Sequence, residues 1–147
     1  MCVEILCTYT ENAFSFSALA AESAFCFGEV LMGLLEELEA EGADIEGGLQ
    51  RLGNKTDFYI RMLRRLPGLM EEKPVTVTLI QEEPARAAEN AHAIKGTAGN
   101  LSITPLYESY SKIVARLREN DSSAAASALK EILPVQGRIL SIIEKYR

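Results

Sequence analysis

The sequence contains one histidine, His92, and its neighbours at helical spacing are unusually small. On a helix, at about 100° per residue, the residues that share its face lie three, four and seven positions away. The small residues at these positions are Ala85, Ala88, Gly96 and Gly99, and the charged ones are Glu89 and Lys95. Two glycines inside a helix destabilise it by roughly 1 kcal/mol each relative to alanine. The pattern predicts that another molecule approaches this histidine closely.

Four roles are open to a lone histidine: metal ligand, general base, covalent nucleophile and packed core residue. A metal site is disfavoured because the sequence has no second histidine and its cysteines lie far away, at Cys2, Cys7 and Cys26. A general base needs a partner that orients it. The one acid close to the face of His92 is Glu89, which we expect to be solvated. The role of general base is therefore disfavoured as well.

The opposite face of the same helix is apolar and carries Ala87, Ile94, Ala98 and Leu101. Because this apolar face should pack against the core, His92 on the opposite face is predicted to point to solvent. A neutral imidazole has a free lone pair on one ring nitrogen, and an exposed one can offer that lone pair to a partner. Lys95, one turn later, offers a cation to an incoming phosphoryl group, and the glycines leave room for another protein. The residues therefore favour a nucleophilic histidine.

The pattern His92-x-x-Lys95-Gly96-x-Ala98-x-Asn100-Leu101 resembles the signature of the histidine phosphotransfer (HPt) domains of bacterial phosphorelays. The segment from Asp44 to Leu66, with GLQRLGN at residues 48–54, is similar to the region that precedes this signature in the family. Together the resemblance covers about residues 43–147. Ser102 stands where the family usually has glycine or another small residue, and the first 40 residues have no counterpart.

The resemblance implies that a ring nitrogen of His92, Nε2, accepts a phosphoryl group from a receiver-domain aspartate of a response regulator and passes it to another receiver. Lys95 would support the phosphoryl group, and Gly96 would give clearance to the docked receiver. The expected docking face also includes Ala85, Ala88, Glu89 and Gly99. No cofactor is expected, because the Mg²⁺ would belong to the receiver. A hybrid sensor histidine kinase is a further expected partner, and no ATP-binding loop is visible.

Charge is distributed unevenly along the 147 residues, whose net charge is −6. Residues 1–50 contain ten acids and no lysine or arginine, so residues 51–147 contain all 15 basic residues and 21 − 10 = 11 acids. The acidic balance disfavours nucleic acid and anionic membranes as partners. No signal peptide, continuous apolar span or disulfide framework is apparent, so we expect a cytoplasmic protein without membrane insertion.

Apolar periodicity predicts an all-α protein: an up-down antiparallel four-helix bundle with additional N-terminal helices. Residues 1–42 are predicted to be an acidic, partly helical extension and residues 43–147 the HPt-like bundle. The bundle helices are predicted at about residues 55–70, 84–102, 105–117 and from 122 onward. A further helix is expected at about residues 14–40, and a short one up to Leu52. The predicted N-caps are Asp44, Asn54, Thr104 and Asp121.

Glycines and prolines indicate where these helices end or bend. The expected breaks or kinks lie at Gly28, Gly42, Pro67 and Pro134. Residues 74–80, PVTVTLI, form the most strand-like run, but no other strand is available to pair with it. We therefore predict an extended or single-turn connector there. The first ten residues fit a short strand and a disordered lead-in equally well.

An alternative function is a helical-bundle interaction module that carries no phosphate and binds partners through its acidic N-terminus. That region is rich in phenylalanine, with Phe14, Phe16, Phe25 and Phe27. Packing of these rings on the rest of the protein is the simpler expectation, because large aromatic side chains are mostly buried.

Overall fold

The computed structural model describes the backbone of residues 16–147 and the side chains of residues 28–147. Within this range the protein is all-helical, as predicted. The helices are α1 (Phe16–Ala40), α2 (Ile45–Arg51), α3 (Thr56–Glu72), α4 (Val77–Glu82), α5 (Pro84–Asn100), α6 (Thr104–Arg118) and α7 (Ser122–Lys145). The predictions made for the first ten residues, the cysteines and the N-terminal phenylalanine side chains lie outside the described part.

One hydrophobic core includes side chains from every helix. Its largest fully buried side chains include Tyr59, Leu63, Leu66, Ile94, Leu106, Tyr110 and Ile113. Helix α5 packs extensively on α6 and α6 on α7, while α3 and α4 each contact both α5 and α7. The four long helices predicted after residue 54 are thus present as α3, α5, α6 and α7. No helix of the described residues combines the length and apolar character needed to cross a membrane.

Two of the predicted N-caps are confirmed by their hydrogen bonds. Asp44 Oδ1 accepts from the backbone N–H of Gly47 at 2.9 Å, and Asp121 Oδ1 accepts from that of Ala124 at 2.9 Å. Gly42, with a φ of 95°, ends the turn after α1, in the left-handed conformation that glycine adopts without steric penalty.

The other two predicted N-caps are wrong. Lys55 is the N-cap of α3, because Asn54 has a φ of 56° and belongs to the preceding turn. Thr104 is the first residue of α6, and the cap position is taken by Ile103. Ile103 is fully buried, so packing of this short connection in the core determines where α6 begins.

The predicted break at Gly28 is not observed, and Pro67 does not end α3. A kink, which is the other expectation for Pro67 and the one made for Pro134, stays a prediction. Helix α1 continues through Gly28, α3 through Pro67 and α7 through Pro134. A proline removes one helical hydrogen bond. Buried residues on both sides of Pro67, Leu66 and Met70, anchor α3 to the core and keep it continuous.

The PVTVTLI segment divides into an extended start and helix α4. Thr76 Oγ1 accepts a hydrogen bond from the N–H of Leu79 at 3.1 Å and so caps α4, whose Ile80 is buried. Asn90 Nδ2 of α5 donates to the carbonyl of Pro74 at 2.8 Å. The segment is therefore a connector, as predicted, and its helical residues 77–80 make about one turn, after which α4 continues to Glu82.

The end of α1 packs on the C-terminal helix through apolar and charged side chains. Leu34 and Leu38 are buried in the common core. Arg138 Nε of α7 donates to both carboxylate oxygens of Glu41, at 2.9 and 3.0 Å. The boundary predicted between residues 42 and 43 stays a prediction, but these leucines share the core of the residues that follow it.

We expect the stabilising effect of Glu37 to depend on pH. Hydrogen bonds from Lys145 and Tyr146 of the C-terminal segment, with Lys145 the larger cause, lower the pKa of Glu37. Because this pKa is lower in the folded chain, the stabilisation is present above the ordinary glutamate pKa, about 4.3, and is lost as pH falls through the folded-state value. Urea denaturation should show Glu37→Gln less stable than wild type at about pH 7, and this difference should shrink as the pH is lowered below the ordinary glutamate pKa.

The exposed neighbour Glu36 provides the control for this measurement. Glu36→Gln removes the same charge from the adjacent position of α1, and at about pH 7 it should destabilise the protein less than Glu37→Gln does. A stability deficit of Glu37→Gln that stays constant across the pH range would contradict the proposed role of the ionised carboxylate.

Candidate functional site

Helix α5 presents its apolar face to the core and His92 to solvent, as the periodicity predicts. Its buried apolar side chains are each 1% exposed or less and are Ala87, Ala91, Ile94 and Ala98. His92 lies on the exposed side. Pro84 is at the start of the helix, where its missing N–H leaves no helical hydrogen bond unmade. The orientation of His92 therefore follows from burial of the opposite face.

His92 lines a groove of about 510 Å³ bounded by α5, the start of α6 and the two ends of α2. The predicted site residues in this groove are His92, Lys95, Gly96 and Gly99. The lining residues that were not predicted to belong to the site are Asp44, Arg51, Asn100, Ser102, Thr104, Tyr107 and Glu108. The groove thus extends from His92 toward the C-terminal end of α5.

The remaining predicted docking residues lie toward the other end of α5. Ala85 and Glu89 are exposed, whereas Ala88 is half-buried and packs against the core. They continue the exposed face that contains His92, but they do not line the groove. Their contact with a partner stays a prediction.

A close approach of α2 to the end of α5 shapes the groove. A Cβ on Gly48 would lie 2.7 Å from both the Leu101 carbonyl oxygen and the Tyr59 ring, so only glycine fits there. The Tyr59 hydroxyl donates to the same Leu101 carbonyl at 2.9 Å, and the Asp44 N–H donates to the carbonyl of Ser102 at 2.8 Å. Burial raises the pKa of the Tyr59 phenol, which therefore stays a hydrogen-bond donor.

Arg51, the last residue of α2, reaches the same end of α5. Its guanidinium donates to the carbonyl of Gly99, a residue 48 positions later in the chain. No local spacing links two residues so far apart, although Arg51 lies inside the GLQRLGN segment that resembles the family. The bond places a second cation, in addition to Lys95, on the wall of the groove.

The two glycines on the face of His92 have different surroundings. A Cβ at Gly96 would have no neighbouring atom within 4 Å, which fits the predicted clearance for a partner. A Cβ at Gly99 would lie 3.1 and 3.2 Å from Cδ2 and Cε2 of Tyr107. The space beside Gly99 is therefore filled by a ring of the same chain.

Charges of both signs surround the groove, with Lys95 and Arg51 as cations and Asp44 and Glu108 as acids. The Lys95 Nζ lies 5.7 Å from the centroid of the Tyr107 ring, within the range of a cation–π contact. Among the described residues, no group of three or more His, Cys, Asp or Glu side chains is placed to hold a metal ion. An exposed imidazole next to an ammonium group suits nucleophilic attack on an anionic phosphoryl group.

Comparisons of the chain with protein-family models, with curated proteins and with solved structures found no match.

Ser102 ends α5 in a conformation that suits glycine better than serine. Its φ is 53°, and the Ile103 N–H donates to the carbonyl of Ala98 at 2.9 Å, as in a Schellman motif. The Ser102 residue is 6% exposed, and its hydroxyl is buried without a hydrogen-bond partner. The left-handed backbone conformation is unfavourable because serine has a Cβ, and burial of the hydroxyl is unfavourable because its Oγ has no hydrogen-bond partner.

We expect Ser102→Gly to stabilise the protein by about 1 kcal/mol, because glycine adopts the left-handed conformation without the steric penalty of a Cβ. Ser102→Ala is the matched control, since it removes the unpaired hydroxyl but keeps the Cβ. Urea denaturation should rank glycine above alanine at this position. Equal stabilisation by both substitutions would show that the hydroxyl, not the backbone conformation, is the unfavourable element.

Proposed function

We propose that this protein is a histidine phosphotransfer protein of a two-component phosphorelay. His92 accepts a phosphoryl group from the aspartate of a response-regulator receiver domain and passes it to a second receiver. The observation that carries the proposal is the exposed imidazole on the wall of an open groove, one helical turn from Lys95 and from the open space at Gly96.

The arrangement of the helices supports the same proposal. The connections from α5 to α6 and from α6 to α7 are only three residues long each, residues 101–103 and 119–121. Short connections favour antiparallel neighbours. We propose that α3, α5, α6 and α7 form an up-down four-helix bundle of the HPt type, to which α1, α2 and α4 are added.

In the proposed transfer, the lone pair of His92 Nε2 attacks the phosphorus of the receiver's aspartyl phosphate. The N–P bond forms as the bond from phosphorus to the carboxyl oxygen breaks, and the electron pair of that bond stays on the aspartate as a carboxylate. The ring keeps its Nδ1 proton and the resulting positive charge until water takes that proton. In the second transfer Nδ1 takes a proton back from water, a carboxylate oxygen of the second receiver's aspartate bonds to phosphorus, and the N–P bond breaks with its electron pair returning to Nε2 of the neutral imidazole.

Lys95 has an electrostatic role in this proposal. Its ammonium group lies one turn from His92 and lines the same groove, where it would offset the negative charge of the phosphoryl oxygens. The Mg²⁺ that aspartyl phosphate chemistry uses would be held by the receiver.

Labelling from a phosphorylated receiver tests the proposal. Wild type incubated with several ³²P-labelled receiver domains should acquire acid-labile, base-stable label, and His92→Gln should acquire none. The amide of glutamine is polar but cannot act as the nucleophile. Absence of label on wild type, or equal label on the variant, would overturn the proposal.

We expect Gly96→Leu to stabilise the protein while blocking transfer. Leucine exceeds glycine in helix propensity by roughly 0.8 kcal/mol, and its side chain would fill the open space at position 96. Gly137 of α7 is also helical, exposed and surrounded by open space, so Gly137→Leu is the matched control. Both variants should gain stability in urea denaturation, but only Gly96→Leu should lose transfer, by at least about tenfold.

A Gly96→Leu protein that transfers phosphate within about twofold of the control would show that this glycine gives no clearance to the receiver. Loss of transfer in Gly137→Leu as well would attribute the defect to leucine substitution in general, which would also contradict the proposed role of Gly96.

A further inference from the structure

We propose that Tyr107 is a positioning residue, which holds the Lys95 ammonium in the groove beside His92. Gly99 is then required because it accommodates the Tyr107 ring within the protein. This inference rests on the proposed phosphotransfer function for its kinetic consequences, but the placement of the side chains can be tested without that function.

Tyr107 lies in the first turn of α6 and reaches across to α5. It is 43% exposed, whereas Tyr59 and Tyr110 are buried. Its ring forms part of the groove wall, together with His92 and Lys95. A tyrosine in this position is therefore accessible to whatever enters the groove.

The spacing on α5 explains why the ring meets the lysine. Lys95 and Gly99 are four residues apart, so they are neighbours on one face of the helix. The edge of the Tyr107 ring lies over Gly99, where an added Cβ would be only 3.1 Å from it. A ring placed there extends toward Lys95, and its centroid is 5.7 Å from Nζ.

The type of contact matters for an anionic ligand. A lysine has a flexible four-carbon stem, and holding its charge in one place requires an attractive partner. A carboxylate partner would neutralise the ammonium and repel a phosphoryl group. The π face of Tyr107 attracts the cation without bringing a formal negative charge into the groove. The ammonium therefore keeps its full charge and hydrogen-bond donors for the phosphoryl oxygens.

The NMR signals of the Lys95 ε-methylene protons test the placement in the absence of any partner. The ring current of Tyr107 should shift them upfield in wild type, and the shift should persist in Tyr107→Phe and disappear in Tyr107→Leu. Gly99→Ala should reduce it by displacing the ring, whereas Gly96→Ala, which meets open space on the same helix, should leave it unchanged. Identical Lys95 signals in wild type and Tyr107→Leu would overturn the proposal.

A double-mutant cycle tests the kinetic consequence. Tyr107→Leu should slow phosphoryl transfer from a receiver by about two- to fivefold, and Tyr107→Phe should restore the rate. In a Lys95→Met background, Tyr107→Leu should have no further effect, because Tyr107 acts through the ammonium. A full effect in that background, or unchanged transfer in Tyr107→Leu, would refute the positioning role.

The two proposals fail in different ways. If wild type acquires no label from any receiver, the phosphotransfer function fails, and the Lys95 signals still decide the placement of the ring. If wild type is labelled at His92 but the Lys95 signals do not respond to Tyr107→Leu, only the positioning role fails.

Discussion

The contact between Gly48 and the end of α5 is the constraint on which the groove depends. The backbone of α2 approaches the Leu101 carbonyl so closely that no side chain fits between them, and the buried Tyr59 hydroxyl donates to the same carbonyl. This contact brings both ends of α2, with Asp44 and Arg51, to the groove that His92 lines. A larger residue at position 48 would separate α2 from α5 and remove one wall of the groove.

The small side chains of α5 serve two different interfaces. On the inner face, buried alanines and Ile94 let the neighbouring helices pack close to the helix axis. On the outer face, Gly96 is open to solvent, while Gly99 accommodates the Tyr107 ring of α6. The same property, absence of bulk, therefore provides packing at one position and accessibility at another. Only the neighbours of each residue distinguish these uses.

Part of the excess of acids near the N-terminus is balanced by basic residues of α7. Acids of the N-terminal third, Glu37 and Glu41, pair with Lys145 and Arg138 of α7. Surface ion pairs contribute little individually, so the buried leucines of α1 supply most of the attachment. The ion pairs join the end of α1 to α7 at the surface, and the Tyr146 hydroxyl adds a hydrogen bond to the Glu37 carboxylate.

The sequence alone determined the helical class, the capping by Asp44 and Asp121, and the outward orientation of His92. Each of these depends on residues within a few positions of one another, for which helical periodicity and capping chemistry suffice. The tertiary structure alone decided that Arg51 and Tyr107 line the groove, that Gly99 is covered, and that α6 begins at Thr104. These features arise where separate helices meet, and a periodic pattern within one helix contains no information about which residue of another helix will face it.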